Sequence, residues 1–203
     1  MPCAFPDALI KETIAFHGHS CPGLAIGIRA VELAFRELGR PEDTNMVAVA
    51  ETDMCGVDAI QFLTDCTYGK GNFLHRDYGK MAFSFFDRNT GKGFRAVLNP
   101  EAWGEIGREM GELTSLDASG KGTPEIRERL METRRRMQDR YMDLDLDDMF
   151  LVAVLTDGPP RPARILESLV CKGCGETVME SRTRRMGGET FCIPCFERRE
   201  QKV

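Results

Sequence analysis

The sequence predicts an α+β fold, in which a small mixed or antiparallel sheet packs with helices and a four-cysteine zinc finger follows at the C-terminal end. Three observations support this prediction. Apolar residues recur with both helical and strand periods through the first three quarters of the chain, without a regular alternation of strands and helices. A proline-rich segment then ends that pattern, and two C-x2-C pairs lie beyond it.

The elements of the first domain can be placed in chain order. Apolar steps of three and four residues predict a helix over 24–38, which ends at Gly39. A run rich in β-branched residues predicts a strand over 46–50, one of about four strands in all. The remaining elements are a helix over 56–65, strands over 81–86 and 94–98 joined by a turn at 89–92, helices that begin at Pro100 and Pro124, and a strand over 150–155.

A cluster of prolines divides the chain. Three of them fall within residues 159–162, where they exclude a helix or a central strand. The net charge also changes there, from −8 over residues 1–160 to +3 over residues 161–203. The predicted divisions are a core domain over 1–157, a linker over 158–168 and a zinc finger over 169–203.

The composition is that of a globular protein. Of 203 residues, 42% are hydrophobic and 29% are charged, which excludes a disordered or collagen-like chain. No apolar run approaches the ~18 residues of a membrane span, and no secretory signal is visible, so we predict a cytoplasmic protein without a membrane partner. The net charge of −5 disfavours nucleic-acid binding by the chain as a whole. In a reducing compartment, eight cysteines indicate metal binding or catalysis rather than disulfides.

The two C-x2-C pairs, separated by 17 residues, are formed by Cys171, Cys174, Cys192 and Cys195. This spacing is typical of zinc sites, because each pair directs two thiolates to one ion and four thiolates complete a closed tetrahedron. A turn at 184–188 and a helix over 194–201 complete a treble clef. Because a module of about 40 residues cannot bury a sufficient core, we expect one structural zinc per chain, which supplies roughly 10–16 kcal/mol. The alternative is a redox-active or disulfide pair.

The partner of this finger is left open by the sequence. Its arginines are of the type that contacts phosphates, but glutamates are interspersed among them. Four thiolates and one Zn²⁺ together also contribute a charge of about −2, which offsets most of the positive charge of the module. We therefore expect a structural or protein-docking finger, with nucleic-acid binding as the less favoured alternative.

Near the amino terminus, His17, His19 and Cys21 occupy alternate positions just before the helix over 24–38. Alternation places the three side chains on one side of an extended segment, where imidazole and thiolate are suited to one metal ion. Cys21 also comes close to the N-terminus of the helix, whose dipole favours a thiolate. The alternative is a buried, inert thiol.

Cys55 repeats this arrangement, because it follows the strand over 46–50 and precedes the next helix. Asp58 lies three residues later, on the same helical face. Cys66 returns to that face as well, but a continuous helix would place it ~16 Å from Cys55, too far to share an ion. We therefore expect Cys66 to pack in the core or to serve a different part of the site.

Two glycines flank a lysine in the segment made of Gly69, Lys70, Gly71 and Asn72. Backbone amides and an ammonium group presented together indicate a site for an anion or cofactor. The spacing is not that of a P-loop, and the segment follows a helix instead of preceding one. A glycine that ends the helix, followed by a surface loop, is the alternative interpretation.

These residues combine into one predicted cleft. His19, Cys21 and Cys55 are the expected ligands of a second divalent metal ion, with an open position for water or substrate. If the cleft is catalytic, the nucleophile is a metal-bound water or a thiolate of Cys21 or Cys55, and His17 or Asp58 transfers protons.

Three motifs together resemble the FmdE family, which takes its name from molybdenum formylmethanofuran dehydrogenase: HGHSCPG at 17–23, ETDMCGVDAIQFLTDCTYGKGN at 51–72 and DYGKMAFSF at 77–85. They occur in the family's order, and the resemblance covers residues 8–160. It implies an α+β core, a homodimer, motif residues around one cleft, and a link to one-carbon metabolism and methanogenesis. The four-cysteine module also resembles the treble-clef finger that some members carry.

We therefore predict an FmdE-like zinc-binding protein whose cleft takes a metal ion or an anionic small molecule. One alternative is a non-enzymatic accessory subunit that docks onto a redox enzyme through its finger. Another is a regulator that binds nucleic acid. The sequence leaves open whether the protein is itself an enzyme or a subunit related to formylmethanofuran dehydrogenase.

Overall fold

The computed structural model describes residues 2–43 and 45–200. Contacts divide the chain into two compact units, Met1–Pro162 and Ala163–Val203, and the division falls within the predicted linker. Within the described ranges, no helix is both long and apolar enough to cross a bilayer.

The first unit contains six α-helices and five strands among its described residues. In chain order they are α1 (Asp7–His17), α2 (Pro22–Leu38), β1 (Met46–Ala50), α3 (Gly56–Thr64), β2 (Phe73–His75), β3 (Ala82–Asp87), β4 (Gly93–Leu98), α4 (Gly104–Leu116), α5 (Pro124–Asp143), α6 (Leu146–Met149) and β5 (Phe150–Val154). A 3-10 helix, Pro100–Trp103, precedes α4, and a π-helical turn, Asp117–Lys121, follows it.

The five strands form one sheet in the order β2-β1-β3-β4-β5. All neighbouring pairs are antiparallel except β1 and β2, which run parallel, so the predicted mixed sheet is confirmed. One face carries Phe83, Phe85 and Phe94, which share a buried core with Leu24 and Val31 of α2. That helix is therefore the central support of the unit.

The helices α2 and α3 cross at a pair of glycines. A Cβ atom on Gly27 would lie 2.2 Å from the carbonyl oxygen of Gly56, so the two backbones meet without a side chain between them. The crossing lies close to the start of both helices. It brings Cys21, the N-cap of α2, towards Cys55, which directly precedes α3.

The prediction differs from the structure at several elements. It missed α1, whose only fully buried residue is Thr13, the four-residue α6, and β2, which is three residues long. Pro100 begins the 3-10 helix and not an α-helix, because α4 starts only at Gly104. The other predicted elements are confirmed to within two residues.

The second unit is a small two-hairpin finger. Its elements are β6 (Ser168–Val170), β7 (Thr177–Met179), β8 (Thr183–Met186), β9 (Glu189–Cys192) and α7 (Ile193–Glu200). The first C-x2-C pair lies between β6 and β7, and the second lies where β9 passes into α7. Gln201, the predicted last residue of the final helix, lies outside the described residues. The order of knuckle, hairpin and helix agrees with the predicted treble clef.

Candidate metal centres

The four cysteines of the finger converge on one point. Their Sγ atoms all lie within 4.8 Å of one another. The backbone N–H groups of Gly173 and Cys192 donate to Sγ of Cys171 at 3.3 and 3.2 Å. These hydrogen bonds, with that of Cys192 the strongest contributor, lower the pKa of Cys171 to about 6. Four converging cysteine sulfur atoms, one of them stabilised as a thiolate, would leave no open coordination position on a metal ion. This arrangement fits a structural zinc ion.

Two arginines of the finger contact its small buried core. The guanidinium of Arg198 donates to Sγ of Cys195 at 3.3 Å, and Arg199 lies over the ring of Phe191 at 4.7 Å from its centroid. Cys195 and Phe191 are both buried. These arginines therefore have a local stabilising role that does not need a nucleic acid.

A second cluster lies in the first unit, where His17, His19, Cys21 and Cys55 present ligand atoms within 4.8 Å of one another. His17 ends α1, and the chain reverses at Gly18, whose φ of 92° suits a residue without a side chain. Sγ of Cys21 accepts the N–H of Leu24 at 3.4 Å in the first turn of α2. The ends of three helices, together with the segment between α1 and α2 that carries His19, thus hold the donors of one cluster.

Asp58 fixes the orientation of His17. Its Oδ2 lies 2.7 Å from Nδ1 of His17, so the opposite ring nitrogen, Nε2, faces the cluster at 3.9 Å from Sγ of Cys21. A carboxylate behind a histidine is the common arrangement around bound metal ions, because it fixes the tautomer and strengthens the ligand. The structure therefore brings His17, which the sequence alternation groups with His19 and Cys21, into one cluster with His19, Cys21 and Cys55, and places Asp58 behind it.

The surroundings of Cys55 disfavour its charged form. Burial, followed by the neighbouring Cys21 thiol, raises the pKa of Cys55. The rings of His17 and His19 lie 4.4 Å apart between centroids. Two sulfur and two imidazole donors at this spacing have the composition of a site for a borderline or soft divalent metal.

A cavity of about 900 Å³ adjoins the cluster. His19, Cys21 and Cys55 form one part of its wall, whereas His17 is not among the described residues that line it. The facing part is a stripe of α5 with the helical spacing i, i+3, i+4, i+7 and i+8: Met131, Arg134, Arg135, Gln138 and Asp139. This stripe was not predicted from the sequence. Its helical spacing was a usable signal, but only the fold shows that it faces the cysteines.

The predicted anion segment lies at the other end of α3. Lys70 forms an ion pair with Asp65, and Oδ1 of Asn72 accepts the N–H of Thr67 at 3.0 Å. Gly69 and Gly71 belong to the same turn, and nine helical residues, roughly 13 Å, separate it from Cys55. Of the residues that the structure describes, those of this segment are not among the ones lining the cavity. Anion or cofactor binding by these residues stays a prediction, separate from the cluster of His17, His19, Cys21 and Cys55.

Cys66 is completely buried, and its thiol donates to the carbonyl of Met46 at 3.3 Å. This geometry agrees with the expected packing role.

Two family models match the chain. The model described as "FmdE, Molybdenum formylmethanofuran dehydrogenase operon" matches residues 16–151, and the "Prokaryotic dksA/traR C4-type zinc finger" matches residues 164–201. The resemblance drawn from the three sequence motifs is thereby confirmed, as is the four-cysteine finger.

Two individual proteins extend these matches. The chain is 29% identical over 195 residues to a probable S-adenosyl-L-methionine-binding protein of Archaeoglobus fulgidus. That alignment covers 92% of the chain but 52% of the relative, so the chain spans about half the length of this curated protein. A crystal structure of a tungsten formylmethanofuran dehydrogenase FmdE-like protein from Syntrophus aciditrophicus is 27% identical, with a TM-score of 0.62 and coverage of 95% and 92% of the two chains.

Proposed function

Because the chain belongs to the FmdE family, we propose that it binds a second metal ion in its core and presents that ion to a small molecule in the adjoining cavity. The observation that carries the proposal is the convergence of two imidazoles and two thiols within 4.8 Å, with three of the four beside the cavity. A purely structural site would not need such access.

Each residue of the cluster has a distinct task in this proposal. His17, held by Asp58, is the anchoring ligand on the side away from the cavity. His19, Cys21 and Cys55 bind from the cavity wall, so a small molecule approaches the ion from their side. The ion, when bound, supplies Lewis acidity to an oxygen or nitrogen atom of that molecule. Imidazole and thiolate donors favour a first-row divalent ion such as Zn²⁺ over Mg²⁺ or Ca²⁺.

We further propose that this site serves one-carbon metabolism, either in the chain itself or in a complex for which the chain is an accessory subunit. The family description and the name of the Syntrophus protein support this link. The name of the Archaeoglobus relative adds S-adenosyl-L-methionine as a candidate ligand. A homodimer, a cytoplasmic location and docking through the finger remain predictions. Co-purification with dehydrogenase subunits and light scattering test the partner and the dimer.

Metal analysis of the purified full chain tests the second site. We expect two tightly bound metal ions per chain. Cys171→Ser should retain the core ion and lose the finger zinc, whereas Cys55→Ser should do the reverse. Cys3→Ser, which removes a thiol outside both clusters, is the matched control and should keep both ions. A single ion in the wild type that disappears completely in Cys171→Ser would contradict the proposal.

A ligand titration follows on the same samples. S-adenosyl-L-methionine should bind the wild type more tightly than Cys55→Ser if it reaches the core ion. Equal binding by both proteins would separate this ligand from the metal cluster. The nucleic-acid alternative predicts binding that weakens steeply with salt, so absence of binding at low salt contradicts that alternative.

A further inference from the structure

We infer that Arg134 and Arg135 form an anion-binding subsite in the cavity beside the core metal cluster. The ligand of this cavity is then a small molecule with a carboxylate or phosphate group and an apolar body. The inference rests on the proposed function for the position of the metal, but the arginine subsite has its own observations.

The arginines of α5 divide into two groups. Four have partners outside the cavity: Arg127 pairs with Asp117, Arg129 and Arg136 pair with Glu109, and Arg140 donates to the carbonyl of Ala102. Among the described residues, neither Arg134 nor Arg135 has a hydrogen-bond or ion-pair partner. These two are also the arginines that line the cavity.

The spacing of α5 explains why both arginines point to the same place. They lie three and four residues after Met131, and Gln138 and Asp139 continue the stripe one turn later. A neighbouring stripe of the same helix, which includes Leu130 and Met137, is buried in the core. The helix is therefore held by one side while another presents two guanidinium groups.

The charge of the cavity favours an anion. Asp139 is the one carboxylate among the lining residues, against two guanidinium groups. A divalent ion bound by the thiolates of Cys21 and Cys55 adds no net charge, so the lining carries a positive excess in a chain whose net charge is −5. The N-terminus of α2, at Pro22 and Gly23, contributes further positive potential to the same wall.

Methionines form the apolar part of the lining. Met54 and Met131 are 51% and 59% exposed, and Met110 lies beside them on α4. Exposed methionine side chains adapt to ligands of different shape and favour apolar or sulfur-containing groups. The cavity thus combines a fixed anion end with an adaptable apolar surface, and the metal cluster adjoins both.

A carboxylate series tests the subsite on the metal-loaded full chain. The probes are acetate, butyrate, hexanoate and octanoate, with butyl phosphate as the phosphate arm, titrated by calorimetry and ligand-observed NMR at low salt. We expect binding that tightens with chain length and weakens about tenfold for each of Arg134→Gln and Arg135→Gln, since each removes one charge-assisted contact. The double variant R129Q/R136Q is the control, because it removes the same charge from the same helix outside the cavity.

The outcomes separate this inference from the proposed function, because metal content is measured on every sample. Equal binding by R134Q/R135Q and by the control, or no binding of any probe, overturns the subsite while two ions per chain leave the proposed function standing. Arginine-dependent binding in a chain without core metal supports the subsite and overturns its link to the metal. Tighter binding of butyl phosphate than of butyrate identifies the anion as a phosphate, and the reverse identifies a carboxylate.

Discussion

Asp58 and His17 show how a residue outside the proposed metal-ligand set can orient a member of that set. The carboxylate lies on the first turn of α3 and holds the imidazole through Nδ1, so that Nε2 remains for the cluster. The side chain of His17 is 9% exposed, and few other orientations are open to it. The pair therefore acts as a positioning contact between α1 and α3.

Replacement of Asp58 by alanine is expected to lower the affinity of the core site for metal by about 10–100-fold, because His17 loses the group that fixes its tautomer. The measurement is a competition titration with a chelator of known affinity. Asp53→Ala removes the same charge nearby from an exposed side chain and should leave the affinity unchanged. An unchanged affinity in Asp58→Ala would show that the carboxylate does not position the ligand. The finger zinc should remain in both variants.

Glu51 and Arg95 form an ion pair of a different kind. Because the carboxylate of Glu51 is buried, its ionised form depends on the hydrogen bonds from Arg95. The carboxylate is 5% exposed and accepts two hydrogen bonds from Arg95, at 2.6 and 2.8 Å. These bonds, aided by the charges of Arg95, Lys80 and Arg76, hold the pKa of Glu51 below its ordinary value. The ionised pair therefore contributes stability above about pH 4.5, and this contribution is lost as pH falls through the folded-state pKa.

Arg95→Met is expected to cost about 3 kcal/mol of unfolding free energy at pH 7, because a buried carboxylate is left without its partner. E51Q/R95M should recover much of this loss and show a shallower decrease in stability below pH 4.5. Urea denaturation across a pH series provides both values. Arg129→Met, which breaks an exposed pair, should cost less than about 1 kcal/mol. A loss in Arg95→Met no larger than in this control would contradict the role of burial.

At the residue scale, the sequence predicted those candidate site residues that lie close together along the chain and are of metal-ligating types. Cys171 to Cys195, and the alternating His17, His19 and Cys21, were identified because the ligand types and intervals themselves suggest one ion. Arg134 and Arg135 could not be identified in this way, since 78 residues lie between Cys55 and Arg134 and only the fold brings them to one cavity. Lys70 is the opposite case. Its local motif suggested that it belongs to the same cleft as Cys55, but the fold places it at the far end of α3.

At the scale of elements, the crossing of α2 and α3 sets the distance between Cys21 and Cys55. Gly23 is part of the same close approach, since a Cβ there would lie 3.2 Å from Cβ of Cys55. None of the glycines at this crossing (Gly23, Gly27 and Gly56) is a ligand. A side chain at any of them would nevertheless move the sulfur atoms of Cys21 and Cys55 apart.

Gly27→Ala is expected to destabilise the first unit by about 1–3 kcal/mol, because its Cβ would overlap the backbone of Gly56. The separated helices should also bind the core metal more weakly. Gly111→Ala in α4 is the matched control, as its Cβ meets no atom within 4 Å and should stabilise by about 0.5–1 kcal/mol. Thermal unfolding and metal titration of both variants give the comparison. A stabilised Gly27→Ala that retains its metal would refute the crossing as the determinant.

The elements that the sequence predicted are those with a strong periodic pattern. The apolar steps of α2 and the β-branched run of β1 are examples, because burial on one or both sides requires them. The helix α1 escaped prediction because its one fully buried residue is the polar Thr13 and its apolar residues Leu9, Ile10 and Ile14 are only partly buried. The strand β2 escaped because three residues paired in parallel to β1 are too few for alternation to be seen.

At the scale of the whole molecule, the two units depend on different sources of stability. The first has an extended core between its sheet and α2. In the described part of the finger, the buried hydrophobic cluster consists of Cys171, Phe191 and Cys195, two of which are zinc ligands. The finger therefore depends on its metal, whereas the first unit has apolar burial to rely on.

Cys171→Ser is expected to unfold residues 168–200 while the first unit keeps its structure, because zinc supplies roughly 10–16 kcal/mol to such modules. Two-dimensional NMR should show loss of dispersion confined to that segment. Lys172→Ser, at the adjacent exposed position, should preserve the finger. Collapse of the resonances of both units in Cys171→Ser would instead indicate one cooperative molecule.

The position of His17 at the end of α1 has a consequence for motion in the chain. In α1, Thr13 is buried and Leu9, Ile10 and Ile14 pack partly buried against the core. Metal binding would add a further attachment, because it would tie the final residue of α1 to α2 and α3. Occupancy of the core site would then slow the local opening of residues 7–17. Amide hydrogen exchange over this helix should decrease on metal addition in the wild type but not in Cys55→Ser. The accessibility of the amino-terminal helix to a protease or to a partner protein would thus depend on whether the core site holds a metal ion.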